Sequence, residues 1–131
     1  MSAYAASAKQ AYTEAAVTTA SPERLVVMLY EGALRFLARG AAAMRAGDTK
    51  AADTAINRAT AIVDELNLSL DMSQGELPDR LRSIYLFSKR RLMDAKIHRD
   101  AEALDGVARL LGELHEAWAH IADRAPTLQE A

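Results

Sequence analysis

Residues 18–37 read TTASPERLVVMLYEGALRFL, and this stretch decides the fold. Ser21 is placed to accept a hydrogen bond from an orphan amide of a first helical turn. Pro22 follows at the first helical position, where its missing N–H costs nothing, and Glu23 puts an acid at the positive end of the helix dipole. At about 100° per residue, Leu25, Met28, Leu29, Gly32, Phe36 and Ala43 share one face. Val26, Tyr30, Ala33, Leu37 and Met44 make a second face, and Val27, Leu34, Ala38 and Ala41 a third. Arg24, Glu31, Arg35 and Arg39 are squeezed into a narrow strip. A helix apolar on most of its circumference needs covering on most sides, so the rest of the chain, or something from outside, must supply that cover.

The totals agree with a helical globule. A chain of 131 residues can bury a sizeable core as one domain. Half of its residues are apolar and 26% charged, which is globular rather than disordered composition. Alanine is abundant, favouring helix and close helix packing. The net charge of −2 gives no overall pull towards nucleic acid or anionic membrane. With no cysteine there is neither a disulfide framework nor thiolate chemistry. No apolar run approaches the roughly 18 residues of a membrane span, and the N-terminus lacks the pattern of a secretory signal. The expectation is a cytoplasmic protein without membrane insertion.

Outward from the first helix, residues 1–20 are mostly Ala, Ser and Thr, with Tyr4 and Tyr12 as the large groups. They read either as a frayed terminus or as a mobile arm, with a short helix near Ala5 to Tyr12, whose tyrosines dock on the body. Helix one is expected from Pro22 to about Ala46, stopped by Gly47. Asp48 caps helix two, expected from Thr49 to Asp71, with Ala52, Ala55, Ile56, Ala59, Ile62, Val63, Leu66 and Leu70 as one stripe. After a loop over Ser73 to Pro78, helix three is expected from Asp79 to Arg99. Leu81, Ile84, Tyr85, Ser88, Leu92 and Ala95 form its inward face. Leu86, Met93 and Ile97 form a second stripe on the far side, more than a bundle core needs. Asp100 caps helix four, which runs to about Arg124 on Leu104, Val107, Leu111, Leu114, Trp118 and Ile121. Four amphipathic segments with short connections predict an all-α, antiparallel four-helix bundle over 22–124, preceded by a short N-terminal helix or arm.

Catalytic chemistry is hard to find. His115 and His120 are five residues apart, so their rings diverge by about 140° on a helix and do not form the metalloprotease pair. Helix one has no inward acid of the kind a di-iron bundle uses. His98 reads as a surface residue suited to a helix C-terminus. There is no glycine-rich phosphate loop; Gly32 and Gly40, costing roughly 1 kcal/mol each inside a helix, suggest close approach of another helix. The run Lys89, Arg90 and Arg91 reads as a solvated face paired with acids such as Asp94, or as a contact for an acidic partner. The expectation is a protein that is not an enzyme, with no catalytic residue, metal or cofactor.

Ordered along the chain are Ala20-Ser21-Pro22 with Leu25, Met28-Leu29-Tyr30, Gly32, Ala33 and Leu34; then Ile62-Val63-Asp64-Glu65-Leu66; then Arg90-Arg91-Leu92 with Ala95 and Asp100; and Glu116-Ala117-Trp118. Together with the leader Tyr4 and Gln10-Ala11-Tyr12, this set resembles the FliS family, the flagellar secretion chaperones for flagellin. The resemblance implies a cytoplasmic antiparallel helical bundle round which the C-terminal segment of flagellin, disordered alone, wraps as helical pieces in hydrophobic grooves. That binding prevents premature polymerisation and aids type III flagellar secretion. It further implies an N-terminal arm that shields the empty surface, and a tyrosine matching Tyr12 that helps dock on a flagellar export gate component. Three positions before that tyrosine, where the family is apolar, this chain has Lys9.

The bare residues point the same way, since contiguous exposed apolar surface marks an interaction site and a groove for an amphipathic helix is a standard recognition mode. The residues expected to meet a partner are Tyr4 and Tyr12 in the arm, Val27 and Leu34 on helix one, and Ile56, Ile62 and Leu66 on helix two. Leu86, Met93 and Ile97 complete the set on helix three. The alternative is a structural bundle that self-associates, for instance as a homodimer, through those stripes, without flagellin cargo. No nucleic-acid partner is expected. Tyr12→Ala should leave the bundle folded and disturb function; an unfolded variant by circular dichroism would count against a separable arm.

Overall fold

The computed structural model describes residues 20–124, and these form four helices and no strands. They are α1 (Pro22–Arg45), α2 (Thr49–Leu68), α3 (Glu76–His98) and α4 (Ala101–Arg124). The antiparallel arrangement is legible in the ion pairs. Arg24 at the start of α1 meets Asp123 at the end of α4 at 2.8 Å, and Arg45 at the end of α1 meets Asp105 near the start of α4 at 2.5 Å. Hydrogen bonding from Arg45 holds the Asp105 carboxyl below its ordinary range. α1 packs most extensively, against α4 and α2, while α3 lies across from it with thinner contacts to α2 and α4.

Local chemistry sets the helix ends. Ser21 Oγ accepts the Arg24 amide at 3.1 Å and Asp48 Oδ1 accepts the Ala51 amide at 3.1 Å, both as the sequence predicts. α1 closes with the paired bonds of a Schellman turn: Gly47 N–H to Met44 O at 3.1 Å and Asp48 N–H to Ala43 O at 2.9 Å, with Gly47 at φ 77°. The α2–α3 connection differs from expectation at both ends. α2 stops three residues early because Asp71 gathers the Ser73 amide (3.1 Å), the Ser73 hydroxyl (2.6 Å) and the Gln74 side chain (3.1 Å) into a local turn that competes with the helix. The Ser73 hydroxyl is the main reason the Asp71 carboxyl sits below its usual range. α3 begins three residues early, at Glu76, because Pro78 falls in its first turn, where no intrahelical donor is lost. Arg99, not a glycine, adopts the left-handed conformation at the end of α3 (φ 55°). Such a backbone costs a side-chain-bearing residue roughly 1–2 kcal/mol, and its guanidinium meets Asp53 of α2 at 2.7 and 3.3 Å.

The core runs along α1. Leu29, Tyr30, Ala33 and Leu37 are at most 1% exposed, as are Ala52, Ala59, Val63 and Leu66 of α2, and Leu104 and Leu111 of α4. On α4 the expected stripe fails at its end: Ile121 is 50% exposed and Ala122 only 4%. Seventeen residues beyond Leu104, Ile121 has rotated about 100° off the stripe, whereas position 122 returns beneath Leu104. Tyr30 of α1 and Tyr85 of α3 reach across the bundle, hydroxyl to hydroxyl at 2.5 Å, with ring centroids 6.5 Å apart. Burial pushes both phenols above their ordinary range, and the Trp118 indole is a further polar group at the Tyr30 hydroxyl. Ser88 is fully buried on α3 and its hydroxyl has no hydrogen-bond partner.

Gly40 marks a close approach. A methyl built there would stand 3.5 Å from Ala55 Cβ and Leu104 Cδ1 and 3.6 Å from Ile56 Cγ1, ordinary contact distances on two neighbouring helices. Gly40→Ala should therefore gain about 1 kcal/mol of helix propensity and raise the melting temperature by several degrees, while Gly40→Leu, which overfills the gap, should lower it. A fall for both variants would show that even a methyl is too large. Tyr30→Phe should cost about 1–3 kcal/mol by stranding the Tyr85 hydroxyl, and Tyr85→Phe a similar amount, with the double variant costing clearly less than their sum. Additive losses in chemical denaturation would show that the two hydroxyls are not coupled.

Candidate functional site

α3 separates its two apolar stripes cleanly. Leu81, Tyr85, Leu92 and Ala95 face the interior, whereas Leu86, Met93 and Ile97 are 37%, 64% and 66% exposed. Leu86 and Met93 form one wall of a groove of about 360 Å³ whose other wall is Ile56, Asn57 and Thr60 of α2. Ile97, one turn beyond Met93, prolongs the α3 stripe. The Thr60 hydroxyl donates to Ile56 O at 2.9 Å, so it does not present an unsatisfied donor to an incoming apolar side chain.

Polar ties cross from α3 to α2 beside this groove. Lys89 Nζ lies 2.6 Å from Asp64 Oδ1, Lys96 Nζ donates to Asn57 Oδ1 at 3.0 Å, and Arg99 clasps Asp53. The hydrogen bond from Arg99 holds the Asp53 carboxyl below its ordinary range and raises the guanidinium. Of the basic run, Lys89 finds its acid across the groove, in Asp64 of α2. These are solvent-exposed pairs, in which water and salt screen most of the attraction. They orient α3 on α2 without filling the space between them, and they give the groove a cationic rim of Lys89, Arg90 and Lys96.

A second apolar groove, about 320 Å³, opens at the end of the bundle where α1 begins. Pro22 and Val26 of α1, Leu66 of α2, Leu70 just past its end, Leu77 and Leu81 of α3, and Trp118 of α4 line it. Exposed at 77%, 44% and 62%, Leu68 ends α2, Met72 lies in the α2–α3 connection and Leu77 is in the first turn of α3. The sequence pattern does not disclose this groove, because a start of α3 at Asp79 leaves Leu77 in a loop. Had Pro78 been read as a first-turn proline, Leu77 would have fallen four residues before Leu81, on one side of a helix.

The structure sorts the remaining expected partner residues by burial. Val27, Ile56, Ile62 and Leu66 are 1–2% exposed and belong to the interior, although Ile56 and Leu66 each border a groove from below. Leu34 is half-buried against the core. Tyr4 and Tyr12 lie outside the described residues.

The histidines offer no constellation for catalysis. His115 Nε2 is 3.2 Å from Glu31 Oε2, and His98 Nδ1 is 3.0 Å from Asp94 O. Among the described residues no three His, Asp or Glu side chains come together to hold a metal ion, and no helix is long and apolar enough to cross a membrane. The arrangement is built for occupancy: apolar walls, adaptable methionine, and charges kept to the rim.

Residues 4–125 match the family described as Flagellar protein FliS. The Flagellar secretion chaperone FliS of Salmonella typhimurium strain LT2 is 37% identical over 93% of this chain and 95% of its own length. Those of Escherichia coli K12 (34%, covering 88% of this chain and 89% of that protein) and Bacillus subtilis 168 (32%, covering 82% and 80%) are also similar. An all-helical bundle with apolar grooves, matched over nearly its whole length to these chaperones, belongs to the FliS family of flagellar secretion chaperones.

Proposed function

We propose that this protein is a cytoplasmic export chaperone that binds the C-terminal segment of flagellin as helical pieces in its hydrophobic grooves, keeping flagellin from polymerising early and fit for type III flagellar secretion. The observation that carries this reading is the exposed stripe of Leu86, Met93 and Ile97 beside the α2–α3 groove. Each of these side chains keeps apolar surface that nothing within the described bundle covers, and exposed apolar residues in series are characteristic of an interaction surface.

Magnitudes favour a wrapped partner over a single docked helix. Fully burying a large apolar side chain is worth about 1.5–3 kcal/mol. The three stripe residues are already partly buried, so covering them yields about 3–5 kcal/mol together. Ordering a disordered segment costs about 2–5 kcal/mol. One groove therefore roughly breaks even, and a stable complex needs further apolar surface, such as the end groove lined by Leu70, Leu77 and Trp118. In this reading the segment 1–20, with Tyr4 and Tyr12, serves the shielding and export-gate steps.

Calorimetric titration with the C-terminal segment of the same organism's flagellin, about 40 residues long, should show tight one-to-one binding with a large negative heat-capacity change and a gain in helicity. Leu86→Asp and Met93→Asp should each weaken binding at least tenfold while shifting the melting temperature by only a few degrees. Absence of binding at high micromolar concentration would overturn the flagellin assignment. Variants that lose melting temperature but keep affinity would show that the stripe belongs to the core and that the cargo lies elsewhere.

A further inference from the structure

Of the cations that line the α2–α3 groove, Arg90 alone has no partner among the described residues. Lys89 is paired with Asp64 and Lys96 donates to Asn57 Oδ1, whereas Arg90 forms no hydrogen bond, ion pair or ring contact with them. No carboxylate lines the groove. Asp94 stands four residues beyond Arg90 on α3, but the two form no ion pair, and base before acid is the weaker order at that spacing.

Arg90 also falls within the angular span of the exposed stripe. At about 100° per residue, it lies about 40° from Leu86, about 60° from Met93 and about 20° from Ile97. Along the axis it is about 6 Å from Leu86 and about 4.5 Å from Met93. A helix that covers both apolar side chains therefore passes over Arg90. Covering a guanidinium removes its water, and that loss is uncompensated unless the incoming surface brings an acceptor. A carboxylate is the acceptor that matches both its charge and its planar, forked donors.

We propose that Arg90 is a specificity determinant of the α2–α3 groove. The flagellin segment bound there carries an Asp or Glu between two apolar residues, and its carboxylate pairs with Arg90 while the apolar residues cover Leu86 and Met93. This pairing rests on the flagellin reading and adds to it the charge of the bound helix at one position. The acid stands three or four residues from each apolar anchor, matching the spacing of Leu86, Arg90 and Met93 whichever way the helix runs. A purely apolar helix would leave the guanidinium unpaired, so the groove discriminates against segments of equal hydrophobicity that lack the acid.

The test is a charge-swap cycle by calorimetric titration of the full chain with the C-terminal segment of the same organism's flagellin. Arg90→Gln should weaken binding severalfold and Arg90→Glu at least tenfold. Melting temperatures should stay within a few degrees, since Arg90 is exposed and ties nothing together in the bundle. Arg90→Gln keeps the test informative if the glutamate variant folds poorly. Lys50→Glu makes the same change in net charge on an exposed residue away from this groove, and should bind within about twofold of the unaltered protein. Among Asp→Lys and Glu→Lys variants of the segment, taken one at a time, one should bind the unaltered protein weakly and regain at least tenfold on Arg90→Glu. The pairing is overturned, with the flagellin reading intact, if both Arg90 variants bind like the unaltered protein. It is equally overturned if Arg90→Glu costs no more than Lys50→Glu, or if no segment variant is rescued. If the unaltered segment does not bind the unaltered protein, the flagellin reading falls and the pairing falls with it.

Discussion

The bundle depends on covering α1. With apolar residues on three faces, this helix is stable in water only if other helices surround it, and the close approach is set by small residues. Gly40 faces Ala55 and Leu104, and Ala52 and Ala59 of α2 are completely buried. Where backbones come this close, dispersion contacts are dense. α1, α2 and α4 therefore form the tightly packed part of the bundle, and α3 inherits the remaining open side.

α3 meets that role with a compromise. Its inner face contributes Leu81, Tyr85, Leu92 and Ala95, but also Ser88, whose buried hydroxyl lacks a partner. An unmet buried hydroxyl costs about 1–3 kcal/mol, so α3 adds less stability than its burial suggests. Beside that buried apolar face, the diagonal Tyr30–Tyr85 bond and the surface ladder from Lys89, Lys96 and Arg99 to α2 fix its register. Charged side chains at the seam hold the helices in register without closing the space above Ile56. Apolar filling of the same seam would have strengthened the bundle and removed the groove.

How far the sequence discloses this can be followed residue by residue. Caps are local chemistry, so Ser21, Asp48 and Gly47 place α1 and the start of α2 correctly, and Asp100 Oδ1 accepts the Ala103 amide as a cap should. The outward stripe of α3 was legible because seven-and-four spacing cannot share a face with Tyr85. The loop after α2 was less legible, since the competition that Asp71 wins depends on Ser73 and Gln74 folding back, not on periodicity. Ile121 was misplaced because a stripe spaced at 3.5 residues drifts around a helix of 3.6. Val27 and Ile62 looked available to a partner because apolar pattern alone does not say which face another helix has already taken; their burial is a property of the assembled bundle. Phe36 was read simply as apolar, because the Arg58 that stacks on it is 22 positions away on another helix.

α2 carries a consequence of its own. Its inner stripe is mostly alanine and isoleucine, which lets it sit close to α1 yet leaves shallow clefts on both flanks: the one at Ile56 towards α3 and the one at Ala55 towards Phe36. Larger residues at Ala51 or Ala55 would fill the second cleft and push the helices apart, so close packing and surface concavity here have a single origin in side-chain size. The two clefts differ in what fills their rims. Towards α3, two of the three cations are already tied to Asp64 and Asn57, which leaves the apolar Leu86 and Met93 as the main attraction. Towards α1, the Arg39 and Arg58 guanidiniums lie over the Phe36 ring, so this cleft is bordered by an aromatic face and cations. A scaffold that keeps its wall residues small can therefore present two chemically different surfaces from one helix, because the core energy comes from proximity to α1 and not from the bulk of α2's own side chains.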